Sequence, residues 1–119
     1  MTTFTCLVAH GPQQGQHSYS ALQFCIAAVQ QGHQIRQVFF YGDAVQHGNA
    51  HLDISSDELN IQQRWQQFAG EYAVPLVICS TVASRHGVQE GANLAPGFVA
   101  SGLTEYMEAV ANSERLVQF

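Results

Sequence analysis

Short apolar runs alternate along this chain with longer segments in which apolar residues recur every three or four positions. The first pattern is typical of buried β-strands and the second of helices with one buried face. The strand-like runs are residues 4–9, 34–41, 75–80, 98–100 and 115–119. The two clearest helical stripes consist of Leu22, Cys25, Ile26 and Val29, and of Ile61, Trp65, Phe68 and Tyr72.

Residues with capping or turn propensities mark the ends of these elements. Ser18 can cap the first helix, and Gly32 is placed to end it in a left-handed conformation. The run Ser55-Ser-Asp-Glu58 has capping-box spacing, which predicts that the second long helix begins there. Residues 42–52 are predicted to form a polar loop, and residues 81–85 a short helix after the third strand.

The regular alternation of strands and helices determines the predicted fold class. Strands joined through helices form a parallel sheet, and right-handed crossovers then place helices on both of its faces. No internal repeat, linker or low-complexity segment interrupts the pattern. We therefore predict an α/β fold in which one domain covers residues 1–119.

Composition and charge narrow the choice of partners. Charged residues make up only 11 % of the chain, and the net charge is −5. A weakly charged surface favours burial of part of it in an assembly. Tight binding to a phosphate backbone requires several Lys or Arg contacts, and the four basic residues form no cluster. We therefore expect no direct, tight binding to nucleic acid.

The location of the protein is predicted from its cysteines and its apolar runs. The N-terminus lacks the basic region of a signal peptide, and no apolar run is long enough to cross a membrane. The three cysteines are widely spaced and form no C-x-x-C pair, which argues against a disulfide framework and a zinc site. These features predict a reduced, cytoplasmic protein.

One cysteine stands out by its position. In an open parallel sheet, reactive groups lie at the carboxyl ends of the strands. Cys79 ends the third strand, whereas Cys6 lies within the first strand and Cys25 on the apolar stripe of the first helix. We predict that Cys6 and Cys25 are inert buried side chains. The position of Cys79 is equally compatible with a reactive thiol and with the last buried residue of a strand.

The residues after Cys79 offer a means of activating its thiol. The first turn of a helix has unpaired N–H groups and a partial positive charge, which stabilise a thiolate. Ser80 and Thr81 can donate further hydrogen bonds, and Arg85 and His86 are the nearest sources of positive charge. These four residues are the predicted supports of a Cys79 thiolate.

The loop over residues 10–17 also follows a strand. It contains Gly11, Pro12 and Gly15 but lacks the Rossmann and Walker glycine patterns, so we predict that these residues shape a pocket rim. A flavodoxin-like nucleotide or flavin binder is the alternative for this loop. The loop histidines lack metal-site spacing and are predicted to be solvated or simply hydrogen-bonded, and no metal or cofactor is expected: His10, His17, His47 and His51.

Several short segments in a fixed order resemble the TusD/DsrE family of sulfur-relay subunits. Each segment alone is weakly specific, but together they run nearly from end to end of the chain. They are Gly11-Pro12 to Gly15, residues 20–24, Gly32-His33 leading to Val38–Tyr41, Trp65-Gln66-Gln67, Ile78-Cys79 with Arg85 and Gly87, Phe98 with residues 101–103, and residues 115–119.

The resemblance implies a three-layer α/β/α fold with a five-stranded parallel sheet. It also implies that Cys79 is the active cysteine, which accepts sulfur as a persulfide without a cofactor. The implied partners are TusB- and TusC-like sister subunits in a heterohexamer, a TusA-like sulfur donor and a TusE-like sulfur acceptor. The implied pathway is 2-thiolation of the wobble uridine of tRNA.

Two alternatives remain beside that pathway. DsrE-type subunits serve the same kind of relay in sulfur oxidation, and a non-catalytic assembly or binding module would leave Cys79 a structural residue. One departure from the family pattern concerns activation of the thiol. Where the family often has two basic residues before the glycine, this chain has Arg85-His86, which weakens the positive charge expected near neutral pH.

Overall fold

The computed structural model describes residues 1–119. In chain order the elements are β1 (Thr3–Val8), α1 (His17–Gln30), β2 (Gln34–Phe40), a 3₁₀ helix (Gly42–Gly48), α2 (Ile61–Tyr72), β3 (Leu76–Cys79), α3 (Ser80–Arg85), β4 (Phe98–Ser101), α4 (Leu103–Ala111) and β5 (Arg115–Gln118). The predicted alternation of strands and helices is confirmed.

The five strands form one parallel sheet in the order β4-β3-β2-β1-β5. The three central strands are rich in buried apolar residues, as expected for strands covered on both faces. Their register places Phe40 beside Ile78, and Cys79 beside Ser101 on the edge strand β4. The predicted α/β fold with a five-stranded parallel sheet is confirmed.

Successive residues of β2 show the two faces of the sheet, because side chains alternate along a strand. Phe40 packs edge-to-face against Trp65 of α2, with ring centroids 5.4 Å apart. Phe39 stacks on Tyr106 of α4, at 4.4 Å. Helices α1 and α2 therefore cover one face and α4 the other, which gives the three expected layers.

The ends of two helices differ from the sequence prediction. Ser18 does not cap α1, because its hydroxyl is buried in hydrogen bonds with Trp65 and His47. The run Ser55–Glu58 does not begin α2; it closes a turn through the bond from the Glu58 N–H to the Ser55 carbonyl. The cap of α2 is Asn60, whose side-chain oxygen accepts from the N–H of Gln63 at 3.1 Å.

The segment after β2 differs from the sequence prediction, whereas the segment after α1 agrees with it. Residues 42–52 do not form a wholly irregular polar loop, because a 3₁₀ helix occupies Gly42–Gly48 and buries Ala44 and Val45 against the core. Gly32 follows α1 with a φ of +87°, the left-handed conformation that was predicted to end this helix.

Candidate functional site

Cys79 lies where β3 passes directly into α3. It is both the last residue of the strand and the N-cap of the helix, in extended conformation with φ −68° and ψ 115°. The preceding residue, Ile78, packs against Gly48 of the 3₁₀ helix, where an added Cβ would lie 3.1 Å from the Ile78 side chain. Strand alternation then directs Cys79 to the opposite face, the one covered by α4.

Burial distinguishes the three cysteines. Cys6 and Cys25 are fully enclosed, whereas Cys79 retains 3 % of its surface exposed. A hydrogen bond with the Cys6 thiol, together with burial, raises the pKa of the Cys25 thiol far above its ordinary value. Cys25 therefore stays protonated and unreactive. All three free cysteines are buried, and Cys79 is the one that retains a small exposed fraction.

The predicted supports of the Cys79 thiolate are divided between the two ends of α3. Ser80 and Thr81 form its exposed first turn, beside Cys79. Arg85 lies in its last turn and His86 caps its C-terminus. Six residues at ~1.5 Å each separate the two ends by about 9 Å. The role of these four residues remains a prediction.

His86 is held by residues from the 3₁₀ helix after β2. Its Nε2 lies 3.5 Å from Oδ1 of Asp43, and its carbonyl accepts from the Gln46 side chain at 3.0 Å. Asp43 also accepts from Nε2 of Gln14 at 3.2 Å. His86 therefore connects the end of α3 to the 3₁₀ helix, and Asp43 extends this connection to the loop after β1.

The predicted rim residues Gly11, Pro12 and Gly15 lie on two adjoining clefts. Gly11 and Pro12 line a cleft of about 330 Å³ together with His86. Pro12 and Gly15 line another of about 400 Å³, which extends between the beginnings of α1 and α2. Cys79 lines neither cleft. The rim loop and His86 are thus brought together, while the Cys79 thiol lies apart from them.

Gly11 allows the Gln14 side chain and the Asp43 carbonyl to approach the backbone of this rim closely. Its N–H donates to the Gln14 side chain, and an added Cβ would lie 3.0 Å from that side-chain oxygen and 3.3 Å from the carbonyl of Asp43. A larger residue at this position would push the loop away from Asp43.

A buried polar network that the sequence analysis missed joins Ser18, His47 and Trp65. Nδ1 of His47 donates to the Ala44 carbonyl at 2.8 Å, its Nε2 accepts from the Ser18 hydroxyl at 2.7 Å, and Nε1 of Trp65 donates to that hydroxyl at 2.9 Å. Burial lowers the pKa of His47 from 6.5 to about 4. The prediction of a solvated or simply hydrogen-bonded histidine holds for the hydrogen bonds but not for solvation, because His47 is fully buried. Its neighbours Gln46, Gly48 and Asn49 are typical of a polar loop and give no sequence signal for complete burial.

No group of three or more His, Cys, Asp or Glu side chains is arranged to hold a metal ion. None of the helices combines the length and apolar character needed to span a bilayer.

Comparison with known proteins identifies the family. The model of the DsrE/DsrF-like family matches residues 3–119. The sulfurtransferase TusD homolog of Pasteurella multocida is 44 % identical over 117 residues, covering 92 % of this chain and 90 % of that protein. The sulfurtransferase TusD of Pectobacterium atrosepticum is 37 % identical over 125 residues, covering 96 % and 97 %.

A solved structure supports the same assignment at the level of the fold. The ychN protein from E. coli superposes with a TM-score of 0.86 over all of both chains, at 21 % identity. Full-length relatives named sulfurtransferase confirm the expected activity. The chain therefore belongs to the DsrE/DsrF-like family and is a sulfurtransferase of the sulfur-relay type.

Proposed function

We propose that this sulfurtransferase carries sulfur as a persulfide on Cys79 and passes it to a partner protein in the cytoplasm. The observation that carries the proposal is the position of this cysteine. Cys79 ends a central parallel strand and begins a helix, and it is 3 % exposed, whereas the other two thiols are fully enclosed within elements of the core. Reactive groups in open parallel sheets occupy this kind of position.

The proposed reaction has two exchange steps. In the first, the Cys79 thiolate attacks the outer sulfur of a donor persulfide, its S–S bond breaks, and the donor leaves as a thiolate. In the second, the acceptor thiolate attacks the outer sulfur of the Cys79 persulfide and releases Cys79 as a thiolate. One sulfur atom moves with no net oxidation, and the rate of each step depends on the attacking and leaving thiols.

The residues around Cys79 support this exchange in different ways. The first N–H groups of α3 have no partner within the helix, and the exposed hydroxyls of Ser80 and Thr81 flank them. Such groups stabilise the negative charge of a thiolate. Arg85 and His86 lie about one and a half helical turns away. His86 contacts Asp43 and Gln46, so we assign it to holding the end of α3.

The proposed partners and pathway follow from the TusD-named relatives. We propose that the chain assembles with TusB- and TusC-like sister subunits in a heterohexamer, takes sulfur from a TusA-like donor and gives it to a TusE-like acceptor. The sulfur serves 2-thiouridine formation at the wobble position of tRNA. The net charge of −5 supports contact with tRNA through another protein.

Intact-mass spectrometry tests the carrier role. The purified protein is incubated with a cysteine desulfurase, cysteine and a TusA-like carrier. We expect the wild type to gain the mass of one sulfur atom, which a reductant removes. Cys79→Ser should gain none, while the matched core variant Cys6→Ala should still be loaded if it folds. An equal gain on Cys79→Ser, or no gain on the wild type, would contradict the proposal.

A further inference from the structure

Most of the large apolar side chains on the surface lie on one side of the molecule. Eight such side chains are exposed, and five of them lie on the face of the sheet that α4 covers. We call these five residues the α4 surface: Tyr41, Val99, Leu103, Met107 and Leu116. Scattered exposed apolar residues are ordinary, but their concentration on one face indicates an interaction site.

Strand register shows that the members of this surface outside α4 lie on the same face of the sheet as α4. Val99 pairs with Val77, which pairs with Phe39, and Phe39 stacks on Tyr106 of α4. Tyr41 follows Phe39 by two residues and stacks on it with centroids 6.2 Å apart.

Leu116 belongs to the same face through its neighbour on β1. It pairs with Thr5, whose hydroxyl bonds to Ser113 directly after α4 at 2.7 Å.

The α4 surface is open because one short helix covers a five-stranded sheet. Helix α4 has nine residues and packs against β1 and β2. Val99, on the edge strand β4, is consequently 52 % exposed, and on the helix Leu103 is 50 % and Met107 60 % exposed. Leu103 and Met107 are four residues apart, so they form a continuous apolar stripe along α4.

Cys79 lies at the margin of this surface. Its neighbour on β4 is Ser101, two residues before Leu103. On the other side, Tyr41 directly follows Phe40, whose partner Ile78 directly precedes Cys79. A protein seated on the α4 surface would therefore lie next to the proposed sulfur carrier.

The charged side chains of α4 have one sign. Residues Leu103–Ala111 include Glu105 and Glu108 and neither Lys nor Arg, and the next basic residue along the chain is Arg115, beside Leu116 on β5. Glu105 and Glu108 are exposed on α4 beside the apolar stripe. A second copy of this chain docked on α4 would bring these carboxylates together, which is unfavourable.

We propose that the α4 surface is the docking site of a different protein, one that presents an apolar patch bordered by Lys or Arg side chains. Apolar contact would come from Leu103, Met107, Val99 and Tyr41, and Glu105 and Glu108 would pair with the basic border. The proposal rests on the proposed function in one respect: the docked protein is part of the sulfur relay and lies next to Cys79.

Co-purification with the TusB- and TusC-like subunits tests the proposal. The chain is tagged, co-expressed with both subunits, and its complex is analysed by size-exclusion chromatography with light scattering and by titration of the purified components. We expect Met107→Glu, and separately the double change Glu105→Lys and Glu108→Lys, to weaken assembly at least about tenfold. The matched controls Leu59→Glu and Glu58→Lys alter exposed residues on the opposite face and should leave assembly unchanged.

Each result supports or overturns the proposal. Loss of assembly in both α4 variants, with circular dichroism of the isolated chain unchanged, supports it. Assembly unaffected by the α4 variants overturns it, and so does failure of the wild type to bind either subunit. Self-association that Met107→Glu abolishes would assign the surface to a second copy instead. Loading of Cys79 from inorganic polysulfide, measured on the isolated chain, tests the carrier role independently of assembly.

Discussion

The hydroxyl of Ser18 connects two buried rings from distant parts of the chain. The Ala44 carbonyl can only accept a hydrogen bond, so Nδ1 of His47 carries the proton of the neutral ring, and Nε2 then accepts from the Ser18 hydroxyl. The Ser18 oxygen in turn accepts from Trp65. Every polar atom of this network is satisfied when His47 is neutral, and this arrangement fixes α1, α2 and the 3₁₀ helix relative to one another.

Removing the Ser18 hydroxyl should destabilise the fold. Ser18→Ala leaves the Trp65 N–H and the His47 ring nitrogen buried without partners. We expect the free energy of unfolding to fall by about 2–4 kcal/mol, measured by urea denaturation. Ser20→Ala changes an exposed residue of the same helix and should alter it by less than about 0.5 kcal/mol. Equal effects of the two substitutions would show that the network contributes nothing.

The same network predicts how stability depends on pH. The pKa of His47 is about 4 in the fold against 6.5 ordinarily, so between these values the unfolded chain binds the extra proton. The contribution of neutral His47 to the free energy of unfolding is fully present above pH 6.5. It is lost as the pH falls towards 4, by about 3 kcal/mol. Unfolding of wild type and His47→Asn across this range measures it. Parallel pH profiles for the two proteins would contradict the prediction.

At the scale of elements, the start of α2 depends on one side chain. Asn60 accepts from the Gln63 N–H and satisfies one of the free donors of the first turn. We expect Asn60→Ala to lower the free energy of unfolding by about 1 kcal/mol, whereas Asn60→Ser, which can also cap, should lower it by less than half as much. Equal losses for both variants in thermal or urea unfolding would show that the cap is not responsible.

Elements were predictable from sequence where local pattern and tertiary packing agree. Strand β3 is apolar throughout and bounded by Pro75, so its existence and type follow from the sequence. The start of α2 was not predictable, because Ser55 and Asn60 both have capping propensity and only tertiary packing selects Asn60. Ser18 was misassigned as a cap for a similar reason, since its buried partners lie 29 and 47 residues away.

The candidate site was predictable to a similar extent. The position of Cys79 at the carboxyl end of a strand was predictable, because it depends only on the order of elements along the chain. The relation of Arg85 and His86 to Cys79 depends on the length of α3 and on the contact between His86 and Asp43. Residues 43 and 86 are far apart in sequence, so no local pattern indicates their pairing.

At the scale of the whole molecule, low charge and the α4 surface point to the same conclusion. A chain with 11 % charged residues that leaves one face of its sheet partly open gains stability when a partner covers that face. Because the proposed contact pairs glutamates with a basic border, we expect binding of the TusB- and TusC-like subunits to weaken several-fold as salt rises from about 0.05 M to 0.5 M. Fluorescence titration measures this change, and binding that tightens with salt would contradict it.

A labelled-sulfur transfer experiment tests the central claim most directly. The protein is loaded from a donor carrying heavy-isotope sulfur, separated from the donor, and mixed with a TusE-like acceptor, and the cysteine-containing peptides are followed by mass spectrometry. We predict that the label appears first on the Cys79 peptide and then on an acceptor cysteine, and that Cys79→Ser transfers none. Label on Cys6 or Cys25, or transfer at an unchanged rate by Cys79→Ser, would contradict Cys79 as the sulfur carrier.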